Sequence, residues 1–547
     1  MNYIREYWNQ IQLKNILVSK RIYQQFEVLI DDLDNPKDPF IFCQELADAP
    51  IEFIENNCKH SKAPFSGKPF LLMLWQKAIT QATYGFVHKN TFLRQYDEVM
   101  VEVGRKNGKT TYGAALEHFM MIGDGEGGAE VYSIATKLDQ AKIAFTEAKN
   151  MVAQSSLLQK YVKPTKYQLD FPHTFSFMKP LASDSKSLDG LNVHFALLDE
   201  LHAWRVFDLY DVVKQATSSR EQPLIFIITT NGHIREAVFD NKYQYGCDVL
   251  DGLIEDKRKL FFFYELDEKL EWMDESMWIK ANPGLGVIKK VEKLRSFVEQ
   301  AMNDEAFLPA VLTKDFNIPE TSVGSWLSFD TINNTDTFNI EDFNGSYAVC
   351  GNDLSSTVDL TCATVLLMKP DEPTIYVHQM YFIPRGKLEE KIKDDKIPYD
   401  QWVARGFVQL CDGNKVNYDD VKKWYTDLVE VNNIRPLWSG YDPWNSDQWV
   451  RDMKDYGFDM EEIRQGAQTL SQPMKLLSAE LADNHINYNN NPVLKWNLTN
   501  TNVQRDNNDN IRPIKKDNQK LRIDGSVSLI IAYATLLRHW NDYQSMI

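Results

Sequence analysis

Three groups of residues in this sequence have the types and spacing of phosphate and phosphodiester chemistry. In VEVGRKNGKTTYGAALEHFM (101 to 120) an apolar run is followed by Gly104, Arg105, Lys106, Asn107, Gly108, Lys109 and Thr110, and then by an amphipathic stretch. A glycine-bearing turn between a strand and a helix presents backbone N–H groups and the helix N-terminus to phosphate oxygens. A lysine there reaches the terminal phosphates, and a Ser or Thr hydroxyl ligates Mg²⁺. Lys109 and Thr110 fit those roles. One position departs from G-x-x-x-x-G-K-[ST]: Val103 stands where the first glycine belongs, with Gly104 after it. The plainer reading of the tripeptide is a Gly-Lys turn that caps a helix.

Further along, VHFALLDE (193 to 200) ends an apolar strand in Asp199 and Glu200. One such carboxylate can hold Mg²⁺ while the next polarises an attacking water, although acidic residues also decorate strand ends for no chemical reason. LIFIITTNG (224 to 232) then ends a second buried strand in Thr229, Thr230 and Asn231. Polar residues at the C-terminal edge of a parallel sheet lie where ligands bind, and these could report the terminal phosphate; the alternative is a turn built on Asn231-Gly232. Arg105 has the charge to stabilise a transferring phosphoryl group, an effect of about 10³ to 10⁵ in rate where it operates, or it is a plain solvent-facing cation.

The third group lies in the C-terminal half. Asp353 ends SYAVCGND, Asp442 ends PLWSGYD, and Asp524 precedes the helix-like SVSLIIAYATLL. In an RNase-H-like sheet the first and fourth strands are neighbours, so these carboxylates would converge with a third at the start of the last helix. Cations would have to hold them together, which is the setting for two metal ions on a scissile phosphate. Singly, each aspartate also suits a turn or a helix cap. Asp359, in the turn between the first two strands, is a weaker fourth candidate.

The elements that must position these groups follow from the hydrophobic pattern. DEVMVEV, AEVYSIAT, TFSFMKP, VHFALLDE and PLIFIITT read as strands of a parallel sheet buried on both faces, with crossover helices. Residues 1 to 60 form a helical lead-in with Tyr23, Phe26, Leu29 and Ile30 on one stripe, and 61 to 250 form the α/β core. Residues 251 to 317, rich in charge and helix formers, form a helical appendage. NIPETSVGSW, with Pro319 and Gly324, places a linker at 318 to 325, and a mixed α/β unit fills 326 to 547. The Asn-rich 484 to 510 reads as a solvated loop. Lys495, Arg505, Arg512, Lys515, Lys516, Lys520 and Arg522 outnumber Asp506, Asp509 and Asp517, and that segment either steers a DNA backbone or is merely solvated. Trp438, Trp444 and Trp449 read as core.

At 547 residues the chain exceeds a single core, and its net charge of −17 argues against passive coating of nucleic acid. Six scattered cysteines without metal-ligand spacing, no secretory leader and no apolar run of membrane length predict a cytoplasmic protein with reduced thiols.

The order of these motifs resembles the large terminase subunit of tailed bacteriophages. That family's phosphate loop tolerates a non-glycine first position and favours an arginine inside the loop, matching Arg105. Its Asp-Glu strand matches Asp199 and Glu200, and its coupling motif matches 229 to 231. FLLMLWQ (70 to 76) resembles its adenine-reading segment, with Gln76 as the base contact, and KLRIDGSVSLIIAYA resembles its last nuclease motif. The resemblance implies a P-loop ATPase joined to an RNase-H-like nuclease. ATP with Mg²⁺ would drive double-stranded viral DNA into a procapsid, and two Mg²⁺ or Mn²⁺ ions at Asp353, Asp442 and Asp524 would serve its cutting. It further implies a ring of subunits on a portal protein, a small terminase subunit as partner, and the host cytoplasm as location. Two other functions fit parts of the same pattern: a DNA helicase or remodeller without nuclease activity, and a nucleotide-binding capsid-assembly adaptor.

Overall fold

The computed structural model describes residues 1–182, 190–235, 237–304, 306–320, 324–355, 359–443, 446–506, 508–515 and 521–547. It divides into two compact units, Met1–Pro319 and Glu320–Ile547. Trp444, Lys516, Asp517, Lys520 and the centre of the expected linker, 321 to 323, lie outside the described residues.

The first unit opens with helices α1 (Tyr3–Gln12), α2 (Lys20–Asp34), α3 (Gln44–Asn57) and α4 (Leu74–Gly85). The buried stripe of α2 is Ile22, Phe26 and Leu29, at i, i+4 and i+7, so Tyr23 falls off it and is 39% exposed. The lead-in also holds a short strand, Phe40–Phe42, paired antiparallel with Phe86–His88.

The central sheet has eight strands: β1 (Glu98–Glu102), β2 (Glu130–Ala135), β3 (Lys163–Pro164), β4 (Leu169–Phe171), β5 (Ser176–Ala182), β6 (Val193–Asp199), β7 (Leu224–Thr229) and β8 (Lys259–Phe263). Their spatial order is β8-β1-β7-β6-β2-β5-β4-β3, parallel from β8 to β5. β1, β6 and β7 are buried along their whole length, which is why they read as unbroken apolar runs. Helix α5 (Lys109–Ile122) leaves the C-terminal end of β1. β8 corrects the wholly helical reading of 251 to 317. The run Leu260-Phe261-Phe262-Phe263 is buried on both faces and extends the sheet beside β1. The rest of that segment does form an appendage: α6 (Val291–Asn303) and α7 (Leu308–Asp315) close a small core of their own around Trp272, Trp278, Leu294 and Phe316.

The second unit is built on a mixed sheet of β9 (Tyr347–Asp353), β10 (Thr361–Met368), β11 (Ile375–Pro384), β12 (Val408–Cys411), β13 (Arg435–Tyr441) and β14 (Met460–Glu462). Its order is β12-β11-β10-β9-β13-β14, with β9 antiparallel to β10 and parallel to β13. Asn352 pairs with Tyr441 across that parallel ladder, so Asp353 and Asp442 leave the sheet from adjacent strand ends.

The Asn-rich segment is not a solvated loop. Its middle is the buried helix α8 (Pro492–Asn500), followed by a hairpin of β15 (Thr501–Arg505) and β16 (Ile511–Lys515). The asparagines serve the backbone: Asn491 Oδ1 accepts from Val493 N at 2.9 Å, and Asn497 Oδ1 accepts from Gly525 N at 3.0 Å. The long helix α9 (Asp524–Arg538) is buried almost throughout, and a Cβ at Gly351 would collide with its backbone at Ala532. Trp449 is core, and Trp438 stacks on His539 with centroids 4.1 Å apart.

Candidate active sites

The phosphate loop turns from β1 into α5 through Lys106 and Gly108, both at positive φ (66° and 82°). Gly108 needs no Cβ to adopt this, which is the usual reason for glycine at such a turn. The displaced first glycine has a packing cause. A Cβ at Gly104 would lie 2.5 Å from Asn282 Oδ1 and 2.6 Å from the Asp315 carbonyl, both in the appendage. Val103 is fully buried in the core. Asn107 ties the loop down: its Nδ2 donates to Gly104 O at 2.8 Å and to Asn282 Oδ1 at 2.9 Å, and its Oδ1 accepts from Gly284 N at 2.9 Å. Lys289 donates to both Asn282 Oδ1 and Asp315 Oδ1 at 2.7 Å. The appendage thus forms one wall of the loop.

Lys109 is 8% exposed, and its Nζ donates to Val103 O at 3.0 Å. Burial pulls its pKa down to about 8, with Glu200 and then Asp199 opposing the shift. Asp199 is itself pushed up to about 7 by burial and then by Glu200. A lysine and two carboxylates from β1–α5 and β6 therefore share one buried corner. Glu200 Oε2 lies 3.0 Å from His202 Nδ1.

A cavity of about 470 Å³ opens over this corner, lined by Arg105, Lys106, Gly108, Lys109, Thr110 and Glu200 on one side and by His60, Phe65, Phe70 and Glu147 on another. Arg105 is exposed at its edge. Gln76 does not line it: the side chain is fully buried behind the loop, with Oε1 accepting from Met73 N at 2.9 Å. Its Nε2 has no hydrogen-bond partner and lies 3.9 Å from the Cβ position of Gly108. Thr230 and Asn231 also sit behind the wall. Asn231 Nδ2 donates to Glu102 Oε1 at 3.3 Å, and its Oδ1 accepts from Arg235 Nη2 at 2.8 Å, so the amide is committed internally. Gly104 N and Arg105 N are spent on the Ala281 and Lys314 carbonyls, but a cavity of this size beside a lysine and the rest of the loop, with an orphaned amide just behind it, fits a nucleotide with its divalent ion.

In the second unit Asp353, Asp442 and Asp524 come close enough to act on one another. Asp353 is driven well above the usual carboxylate range by enclosure, then by Asp524 and Asp442; Asp524, 5% exposed, is pushed up to about 7, chiefly by burial. Asp353 Oδ1 accepts from Gln465 Nε2 at 3.2 Å, while Asp524 Oδ2 is buried without a hydrogen-bond partner. Enclosed, mutually repelling carboxylates with an unsatisfied oxygen are the donor set a hard divalent cation takes. Among the described residues, no three His, Cys, Asp or Glu side chains close to ligand geometry around one point. Asp359 is otherwise engaged, accepting from Lys515 Nζ at 2.5 Å and Arg522 Nη1 at 2.7 Å. That also corrects the picture of a freely steering cationic loop. Arg522 forks onto Asp395 at 2.8 and 2.9 Å, Arg505 pairs with Asp509 at 2.7 Å, and Lys495 is buried.

Several contributors escaped the sequence reading. Asn282, which holds the loop's Asn107, His202 with Lys314, and Asn497 beneath Asp524 carry no motif of their own. Only His202, three residues beyond Asp199, stood near enough to one to be suspected.

Residues 74–247 match the family model for the terminase large subunit ATPase domain, and residues 254–539 match that for its endonuclease domain. The terminase large subunit of Enterobacteria phage HK97 is 27% identical over 497 residues, covering 88% of this chain and 94% of that protein. The terminase large subunit of Lactococcus phage p2 is 26% identical over 446 residues, covering 80% and 81%. The crystal structure of the HK97 large terminase covers 89% of this chain and 99% of its own, at 24% identity and a TM-score of 0.49. The endonuclease match excludes a motor without a nuclease and a merely structural adaptor. With an ATPase domain followed by an endonuclease domain, this chain belongs to the terminase large subunit family, the DNA-packaging motors that hydrolyse ATP and cut concatemeric DNA.

Proposed function

We propose the following division of labour for the packaging reaction. Backbone N–H groups of 106 to 110 cradle the phosphates of ATP, Lys109 neutralises the terminal ones, and Gln76 meets the base once the loop adjusts. Thr110 and Asp199 would hold Mg²⁺, which lowers the charge barrier to phosphoryl transfer. Glu200 orients and polarises the attacking water, Arg105 answers charge on the transferring group, and Thr230 with Asn231 passes the change on through the sheet edge. The observation that carries this reading is the corner beside the cavity where the pKa values of buried Lys109 and Asp199 are displaced and Glu200 acts on both.

In the second unit, Asp353, Asp442 and Asp524 would hold two Mg²⁺ or Mn²⁺ ions, which supply Lewis-acid activation at a scissile phosphate when bound. The enclosure of Asp353 and the unpartnered Asp524 oxygen support this. Asp359, already paired to two cations, orients Arg522 rather than an ion. Membership of the family supports a ring of subunits docked on a portal protein with a small terminase subunit as partner. All six cysteines are unpaired thiols, which suits a host cytoplasm, and no helix among the described residues is long and apolar enough to cross a membrane.

Isothermal titration of Mn²⁺ into the full chain tests the ion count. Wild type is expected to bind two ions that Asp524→Asn does not bind, and identical isotherms for the two would reject the assignment.

A further inference from the structure

Glu200 is held by a partner that the proposed mechanism leaves without a task. His202, on the short turn after β6, is a partly buried ring with a carboxylate on one nitrogen and a lysine on the other. Nδ1 lies 3.0 Å from Glu200 Oε2 and 3.2 Å from Thr229 Oγ1; Nε2 lies 2.6 Å from Lys314 Nζ. The tautomer can be assigned from these neighbours. Thr229 gives its own hydroxyl proton to Thr230 O at 2.8 Å, so its oxygen can only accept. A third group, the Thr230 hydroxyl, lies farther off at 3.4 Å and can accept as readily as donate, so the two nearer acceptors place the proton on Nδ1. Nε2 is left with its lone pair, and Lys314, all donors, supplies the hydrogen bond. Burial, with Lys314 and Lys109 next, depresses the ring to about 2, which keeps it neutral in this arrangement.

Lys314 does not belong to the sheet. It sits on α7 of the appendage, its Nζ also donates to Asn231 O at 3.0 Å, and its carbonyl accepts from Arg105 N at 2.7 Å. One residue of the appendage thus touches the phosphate loop, the segment after β7 and, through one imidazole, Glu200. An ammonium–imidazole–carboxylate series orients its carboxylate much as a buried acid orients the histidine of a hydrolase triad, with the direction reversed.

We propose that His202, oriented by Lys314, is the positioning residue for Glu200, so that the geometry of ATP hydrolysis depends on where α7 stands. This rests on the reading of Glu200 as the carboxylate that activates water. Side-chain lengths give a sharp test on the full chain. An asparagine amide reaches the place of Nδ1 and can donate to Glu200 but not reach Lys314; a glutamine reaches the place of Nε2 and does the reverse.

For steady-state ATP turnover, His202→Ala is expected to lower kcat about 10- to 100-fold while the KM for ATP moves less than about threefold. His202→Asn should recover most of the loss, and His202→Gln should not. Lys314→Met should lower kcat in the wild-type background yet add little to His202→Ala, because both act through one path. Equal rates for the Asn and Gln chains, or losses from Lys314→Met and His202→Ala that multiply, would overturn the proposal. If the alanine chain does not fold, the Asn and Gln contrast still decides. A Glu200→Gln chain that turns over ATP like wild type would instead remove the reading beneath it.

Discussion

Glu117 lies at the centre of α5, fully buried, with Oε1 accepting from Ser133 Oγ at 2.5 Å and Oε2 without a partner. Burial pushes its pKa from 4.5 to about 8, Ser133 opposes this, and Asp199 adds to it. In the folded chain it is therefore protonated at neutral pH, whereas the unfolded chain ionises it. The folded state binds the extra proton between pH 4.5 and 8, so stability falls as pH rises through that window and levels off above it. At about 1.4 kcal/mol per pH unit, the cost is on the order of 3 kcal/mol at pH 7 and 5 kcal/mol at pH 9. Glu117→Gln keeps the acceptor for Ser133 but brings two buried N–H donors where the protonated acid leaves one O–H unmatched, a pH-independent cost of about 1–3 kcal/mol. Because only the acid titrates, the melting temperature of the variant relative to wild type should rise by about 8 °C between pH 5 and pH 9, taking about 2 °C per kcal/mol for a unit this large. The variant should melt near or below wild type at pH 5 and above it at pH 9. Melting curves of both chains at the three pH values check this. A difference independent of pH, or a variant less stable at pH 9, would refute the reasoning.

Gly104→Ala should destabilise the first unit by about 1–3 kcal/mol, because the new methyl meets backbone and a committed amide rather than a flexible side chain; thermal unfolding measures it, and an unchanged midpoint would contradict the packing account. Arg522→Met should cost about 3–5 kcal/mol, since it strands Asp395, whose side chain is fully buried, without its cation. Denaturant titration of the full chain reads this as loss of the second unit's transition at lower urea, and a neutral outcome would mean that Asp395 finds another partner.

Much of this molecule is legible in its sequence, for a physical reason. Strands buried on both faces must be apolar throughout, so β1, β6 and β7 stand out, and the polar residues at their ends mark the sheet edge where chemistry can occur. Asp353, Asp442 and Asp524 are legible in the same way, as acids at the ends of apolar runs. What was hidden depends on long-range contact. β8 is a five-residue run inside a charged segment, and only pairing with β1 makes it a strand. The asparagines of α8 look like loop composition because their capping bonds to Gly525 and the helix start cannot be seen locally. Nothing near Lys314 marks it as the partner of a histidine more than a hundred residues earlier, and the glycine at 104 makes sense only once Asn282 and the Asp315 carbonyl are in place against it.

The central claim is that two separate sites in one chain perform two chemistries. ATP turnover and Mn²⁺-dependent plasmid cleavage, measured side by side on wild type, Lys109→Ala and Asp524→Asn full-length chains, test it directly. Lys109→Ala is predicted to lose turnover and still cut DNA, and Asp524→Asn to hydrolyse ATP and leave the plasmid intact. Loss of both activities in either folded variant, or of neither in both, would contradict it.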